Sequence, residues 1–279
     1  MSKRRDLETR IGSLREIEEI MNAMKNLSLM EVHRLTRFLD SQRRVVASIE
    51  SMAADLLHFY PHLFRSEEKS RDICVLFGSE RGFCGDFNES LLNAFEKHQT
   101  AVREGSVIVV GGKLASILKD DRRIAAFLEG VSVVEEVETV LLKLMDTLSG
   151  LNEARDATFP LRLTALHHRE DKDSVQVSVL QPFKQPWPEA TPFAYAPHLN
   201  LNPHFFLTGL GEQYLFAALH ELLYSSLMAE NQRRMQHMDS AIRRLERTSE
   251  ELLLKRNILR QEEITEEIEI IMLSVEALL

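Results

Sequence analysis

The chain has 279 residues, of which 44% are hydrophobic and 28% charged, with a formal net charge of −9. That length and apolar content support one large or two modest cores and exclude a disordered chain. The acidic balance argues against a protein whose main work is to coat nucleic acid or an anionic membrane.

Lys3, Arg4 and Arg5 open the chain without an apolar run behind them, so no secretory signal is expected. No window reaches the roughly 18–20 apolar residues needed to cross a bilayer. From Ser13 to Tyr60 there is neither glycine nor proline. Leu7, Ile11, Leu14, Ile17, Met21, Met24 and Leu27, then Leu35, Leu39, Val46, Ile49 and Leu56, recur at near-heptad spacing. This predicts one long helix built for left-handed coiled-coil packing. Ser28 and Gln42 fall on its seam, which suggests that part of the helix also faces a partner. Pro61 ends it, and a charged linker follows from Arg65 to Arg71.

The pattern then changes. Ile73–Phe77 is a short continuous strand, followed by the turn Gly78-Ser79-Glu80-Arg81-Gly82-Phe83-Cys84-Gly85 and a helix over Asn88–His98, capped by Asp86 or Asn88. Ser106–Val110 is a second buried strand ending in Gly111-Gly112, and Lys113–Leu118 a helix. Ile124–Phe127 is a third short strand and Val133–Leu148 a strongly apolar helix. Leu161–His167 and Ser174–Leu180 alternate as a hairpin around Arg169–Asp173. These elements predict a Rossmann-like α/β domain whose mixed sheet is parallel at first and antiparallel at one edge. Pro182, Pro186, Trp187, Pro188, Pro192, Phe193, Tyr195, Pro197 and Pro203 then form an ordered connection whose aromatic residues need burial.

From Glu212 to Leu279 glycine and proline are again missing. The stripe Met228, Met235, Met238, Ile242, Leu245, Leu252, Leu259, Ile264, Ile268, Ile271, Val275 and Leu278 predicts a helix of roughly 100 Å. Its middle is basic (Arg233, Arg234, Arg243, Arg244, Arg247, Lys255, Arg256, Arg260) and its next two turns acidic (Glu262, Glu263, Glu266, Glu267, Glu269). The economical arrangement pairs the two terminal helices antiparallel, dividing the chain into residues 1–60, 61–205 and 206–279. The banded charge fits a rod threading a partner with complementary bands.

Catalytic chemistry is hard to find. Gly78, Gly82 and Gly85 match neither the dinucleotide fingerprint nor the P-loop, and Gly111-Gly112-Lys113 is equally incomplete. Glu80 and Arg81 are expected as a turn-tip ion pair or a docking surface. His167-His168 lie on a strand, where neighbours face opposite ways and cannot chelate one metal ion. Cys74 and Cys84 lack metal or redox spacing and read as packed thiols, which suits a reducing cytosolic setting. No catalytic residue, bound cofactor or metal is therefore assigned to the chain.

Three sets of residues carry a resemblance. They are Ile20-x-x-Ala23-Met24; Arg81-Gly82-Phe83-Cys84-Gly85 with Asn88; and Glu230, Arg234-Met235, Met238, Asn257, Arg260-Gln261, Ile264-Thr265 and Glu267. In order and spacing they resemble the gamma subunit of F-type ATP synthases, whose members read KIT-x-AM, DRGLCG-x-x-N, E-x-x-x-RM-x-x-M and ARQ-x-x-IT-x-E there. The resemblance implies a noncatalytic central shaft that couples ion translocation to ATP synthesis or hydrolysis by rotating inside alpha and beta subunits. It also implies an α/β foot near the epsilon subunit and membrane c-ring, peripheral placement on the cytoplasmic face of the membrane, and ATP, ADP and magnesium held by the partners. Carried over by position, Arg234, Arg260, Gln261 and Thr265 would meet the beta subunit's catch region, with Met24 on the facing helix. Glu80, Arg81, Gly82, Cys84 and Gly85 would belong to the foot.

The chain departs from the pattern at Glu19 (usually lysine), Met21 (threonine), Met30-Glu31 (Ser-Lys) and Arg243-Arg244 (Asp-Asn). These changes imply an altered partner surface, as in a divergent, alternative or sodium-translocating rotary ATPase. The rival from the residues alone is a coiled-coil scaffold with an α/β interaction domain, unrelated to ATP synthase.

Overall fold

The structure is a computed structural model that describes residues 3–63, 71–98, 106–153, 161–172, 174–180, 195–196 and 198–276. Its elements are α1 (Lys3–Phe59), β1 (Arg71–Phe77), α2 (Phe87–Lys97), β2 (Val107–Val110), α3 (Gly112–Ile117), β3 (Ile124–Leu128), α4 (Val137–Glu153), β4 (Leu161–His167), β5 (Gln176–Leu180) and α5 (Pro203–Glu276). The chain forms two compact units, Met1–Ser28 with Met235–Leu279, and Leu29–Arg234.

The first unit is a helix pair. Arg4 pairs with Glu263 at 3.2 Å and Lys25 with Asp239, so the α1 and α5 segments run antiparallel. Ile11, Met238, Ile242 and Leu252 are buried along the seam, and Ser28 and Ser249 are buried among them. Ile17 and Leu27, expected on the seam, are exposed instead. A helix of 3.6 residues per turn drifts off a seven-residue repeat, and these positions have turned away. The register set by Arg4 and Glu263 leaves no described α1 residue opposite α5 beyond about Ile264. Ile268, Ile270, Ile271, Met272 and Leu273 are correspondingly exposed. Val275 and Leu278, the last of the predicted stripe, have no described side chain.

In the second unit the five-stranded sheet has the order β3-β2-β1-β4-β5. All its pairs are parallel except β4 with β5. Successive strand residues face opposite ways. Ile73, Val75 and Phe77 of β1 therefore enter one core, with α4, Leu35 and Leu39 of α1 and Leu219 to Met228 of α5. Cys74 and Leu76 enter the other, with α2 and α3. Phe77, Phe87 and Phe95 are fully buried, each contributing about 1.5–3 kcal/mol. Within this unit α1 and α5 also pack antiparallel. Gln42, the polar interruption of the seam, donates to the carbonyl of Ala217 at 3.0 Å, and Phe38 stacks on Tyr224.

Helix α5 begins earlier than Glu212. The Asn202 carboxamide oxygen accepts the amide of His204 at 2.9 Å, Pro203 occupies the first turn, and the helix continues through Gly209 and Gly211. Asp86 precedes α2 without a side-chain capping bond. Asn88 does not cap either, because its carboxamide is turned onto Ser79. Tyr195 is exposed rather than buried. Pro182, Pro186, Trp187, Pro188, Pro192, Phe193 and Pro197, and the linker from 65 to 70, lie outside the described residues. No described helix is long and apolar enough to cross a membrane.

Candidate functional site

Strand order reverses between β1 and β4, and in open α/β sheets the crevice beyond the strand ends at that point is where ligands sit. Here the turn 78–85 leaves β1 and His167-His168 closes β4. Glycine permits the close approaches the turn requires. A Cβ on Gly78 would lie 2.4 Å from Cβ of Leu114, and Gly85 adopts φ 61°. Phe83 also takes positive φ, at 65°, and its ring is exposed. The amide of Ser79 donates to the Asn88 carboxamide oxygen at 3.0 Å, tying the turn to α2.

The expected ion pair between Glu80 and Arg81 is replaced by two separate attachments. One carboxylate oxygen of Glu80 accepts the amides of Gly112 at 2.7 Å and Gly130 at 2.6 Å, and Arg81 donates to the Ser132 hydroxyl at 3.0 Å. Two amide dipoles aimed at one oxygen outcompete an exposed guanidinium for that carboxylate.

Helix α5 closes the crevice from the other side. Glu230, Asn231 and Arg234 are all buried. Their i, i+4 spacing puts Glu230 and Arg234 on one face one turn apart, where they form an ion pair. Glu230 accepts the amide of Glu80 at 3.3 Å. Arg234 donates to the carbonyl of Gly82 at 3.3 Å, to Cys84 Sγ at 3.3 Å and to Asn231 at 2.9 Å. Burial pushes the Glu230 carboxyl above the ordinary carboxylate range, and Arg234 draws it back only in part. A cavity of about 10 Å³ remains, lined by Gly78, Gly130 and Glu230 among others. The crevice is filled by the chain's own side chains.

The sequence-predicted residues therefore separate. Arg234 comes together with Glu80, Arg81, Gly82 and Cys84, and beside them Gly85. Its expected exposure to a partner gives way to an internal ion pair, because Glu230 cannot be buried without a counter-charge. Arg260, Gln261 and Thr265 are exposed on α5 in the other unit, where Met24 is half-buried on α1. Glu230 and Asn231 emerge as site residues that the sequence reading used only as family markers or passed over.

His167 and His168 are both buried. His167 contacts the Ser178 hydroxyl at 3.0 Å, while His168 contacts the Phe87 carbonyl at 2.9 Å and stacks on the Phe87 ring. Among the described residues no group of three potential ligands is placed to hold a metal. Cys74 and Cys84 are free and buried, and burial pushes both thiols up to about 12. For Cys84 the Glu230 charge adds to the effect and Arg234 opposes it. A maleimide at neutral pH is expected to label neither thiol in the native chain and both after denaturation, as mass spectrometry will read. Native labelling of Cys84 would show that the turn opens.

The ATP synthase family model matches residues 3–278. The chain belongs to the ATP synthase gamma family. The ATP synthase gamma chain of Helicobacter pylori strain Shi470 is 23% identical over 310 residues, covering 100% of both chains. That of Azobacteroides pseudotrichonymphae genomovar. CFP2 is 25% identical over 296 residues, again with 100% of both covered. The fold is similar to a chain of the Euglena gracilis mitochondrial ATP synthase (OSCP/F1/c-ring, rotational state 3). The TM-score is 0.62 at 13% identity, with 99% of this chain and 94% of that one covered. A chain of the Tetrahymena thermophila mitochondrial central stalk/c-ring gives 0.57 at 16%, covering 80% and 99%.

Among the residues that depart from the gamma-family pattern, Glu31 and Arg243 have charged or amide partners within the chain. Glu31 accepts the amide of Val134 at 3.4 Å and pairs with Arg34, which also reaches Glu135. Arg243 joins Asp239 at 2.8 Å, which Lys25 also approaches. Glu19, Met30, Arg243 and Arg244 are exposed.

Proposed function

We propose that this gamma-family chain is the noncatalytic central-stalk shaft of an F-type ATP synthase, coupling ion translocation in the membrane sector to ATP synthesis or hydrolysis on beta subunits by rotation. The observation that carries this is the family match over residues 3–278. ATP, ADP and magnesium are then held by the partners, which are alpha and beta subunits, the epsilon subunit and the c-ring. The complex holds the chain at the cytoplasmic face of the membrane as a peripheral subunit. Residues 1–60 and 206–279 act as the shaft and 61–205 as its foot.

The physical basis is differential contact. Long helices without internal proline resist kinking, and pairing stiffens them further. A rotating, asymmetric surface need only contact two conformations of each beta subunit unequally to shift their populations. The unpartnered apolar end of α5, including Ile268, Ile271 and Met272, suits a sleeve in which it turns. Below it, Arg260, Gln261 and Thr265, with Met24, are assigned to the beta catch.

The test is reconstitution with the alpha, beta, epsilon and membrane-sector subunits encoded by the same cell. Restoration of ATP hydrolysis coupled to ion pumping is the expected result, and failure to assemble removes the proposal. In that system Arg260→Ala is expected to lower coupled activity while the unfolding free energy of the free chain stays within about 0.5 kcal/mol, since the side chain is exposed. Equal coupled activity would remove Arg260 from the catch.

A further inference from the structure

The glycines around the crevice have a specific purpose. A Cβ on Gly112 would lie 2.9 Å from Glu80 Oε1, and one on Gly130 would lie 3.0 Å from Glu80 Oε2 and 2.9 Å from Cα of Gly111. Gly111 itself has φ 122°, and its added Cβ would meet the carbonyl oxygen of Gly78 at 2.7 Å. Gly111 and Gly112, part of an incomplete nucleotide-like motif, thus form with Gly130 a shell with room for one carboxylate. At this place α/β sheets of this order commonly bind a ligand's anionic group on backbone amides. Here the anion belongs to Glu80.

Beyond the apolar core shared by the sheet and Leu219 to Met228 of α5, Glu80 makes a polar tie between them. Its carboxylate binds the loops after β2 and β3, through Gly112 and Gly130, while its own amide donates to Glu230 on α5. One turn further along α5, Arg234 holds Gly82 and Cys84. Attachments at two heights on one helix face oppose both sliding and rolling of α5 against the sheet. Arg234 is the last α5 residue of its unit.

We propose that Glu80 is a positioning residue for rotary coupling: a built-in anion that fills the sheet's ligand position and pins α5 to the α/β domain, so that rotation of one turns the other. This rests on the shaft assignment above. Such a pin adds polar restraint at the end of the apolar core, and hydrolysis on partner subunits does not require it.

The experiment compares parent, Glu80→Ala and Glu80→Gln chains in the reconstituted complex, measuring ion pumping and ATP hydrolysis per assembled complex, with and without excess formate. For Glu80→Ala, hydrolysis is expected to persist while pumping per ATP falls by about threefold or more. Formate, a carboxylate small enough for the vacated shell, is expected to raise that ratio in Glu80→Ala and leave the parent unchanged. Glu80→Gln, which keeps one carbonyl oxygen for the amides, is expected to fall between. Parental coupling in Glu80→Ala overturns the proposal, as does a loss that neither formate nor the glutamine variant relieves. If Glu80→Ala does not assemble, Glu80→Gln decides, and parental coupling there overturns it. A parent chain that assembles without coupling would instead remove the shaft assignment.

Discussion

Arg234→Ala is expected to destabilise the chain by about 3–5 kcal/mol, measured by urea unfolding of the full-length protein. The substitution deletes a guanidinium that is buried and serves four groups, namely Glu230, Asn231, the Gly82 carbonyl and Cys84. What it leaves behind costs most. Glu230 stays buried, and the charge that partly offset its desolvation is gone. Its carboxyl is then pushed still higher and takes up a proton in the folded state.

This makes the deficit depend on pH. In the folded variant the carboxyl titrates above its ordinary value of 4.5, whereas the unfolded chain releases the proton near that value. The folded state binds more protons in this window, so stability falls as pH rises through it. Arg234→Ala should therefore be closest to the parent in acidic buffer and furthest from it near neutrality. Adding Glu230→Gln removes the buried charge, and the double variant should be less destabilised than the sum of the singles by about 1–3 kcal/mol. Additive effects with no pH dependence would mean that the pair does not exchange charge as described.

Acidification should act on the parent through His167. Burial pushes this imidazole from 6.5 down to about 4; Arg169 and His168 add to the effect, and the bond with the His168 carbonyl opposes it. Between those values the unfolded chain binds a proton that the folded chain refuses. Stability is therefore full above 6.5 and is lost as pH falls towards 4, a difference of about 3 kcal/mol for this residue. His168, lowered by its own burial, moves the same way. His167→Gln, which can still meet the Ser178 hydroxyl, should give a shallower decline of unfolding free energy across that interval. Superimposable curves for parent and variant would assign acid sensitivity elsewhere.

The parts of the fold that could be read from sequence are those where one residue's neighbours in sequence are also its physical determinants. The continuous run Val107–Val110 is a strand buried on both faces, and the alternation of Leu163, Ala165 and Leu180 marks the hairpin core. Glu230 and Arg234 could be paired from spacing alone. The crevice could not be read in this way. Glu80 meets Gly112 and Gly130 across separations of 32 and 50 residues, and only the sheet order brings those loops to it. A glycine-rich turn that holds phosphate and one that holds its own carboxylate have much the same local sequence. Helix α5 starts at Pro203, close to the expected boundary at 206, and tolerates Gly209 and Gly211 because a single glycine costs a helix only about 1 kcal/mol, which neighbouring packing of Leu210 and Tyr214 offsets.

The end of α5 bears on how the complex must be put together. Past Ile264 the helix has no described companion from α1, and its isoleucines face water. A stretch of roughly a dozen residues standing alone is only marginally helical in water. This end therefore borrows its order from the helix behind it, and should fray in the free chain and stiffen when a sleeve encloses it. A binding partner at that end finishes the folding of the subunit as well as receiving it. On the proposed shaft assignment, newly made chains would carry a sticky, half-ordered end until the ring closes around them, and early capture by the catalytic subunits would protect the shaft from self-association.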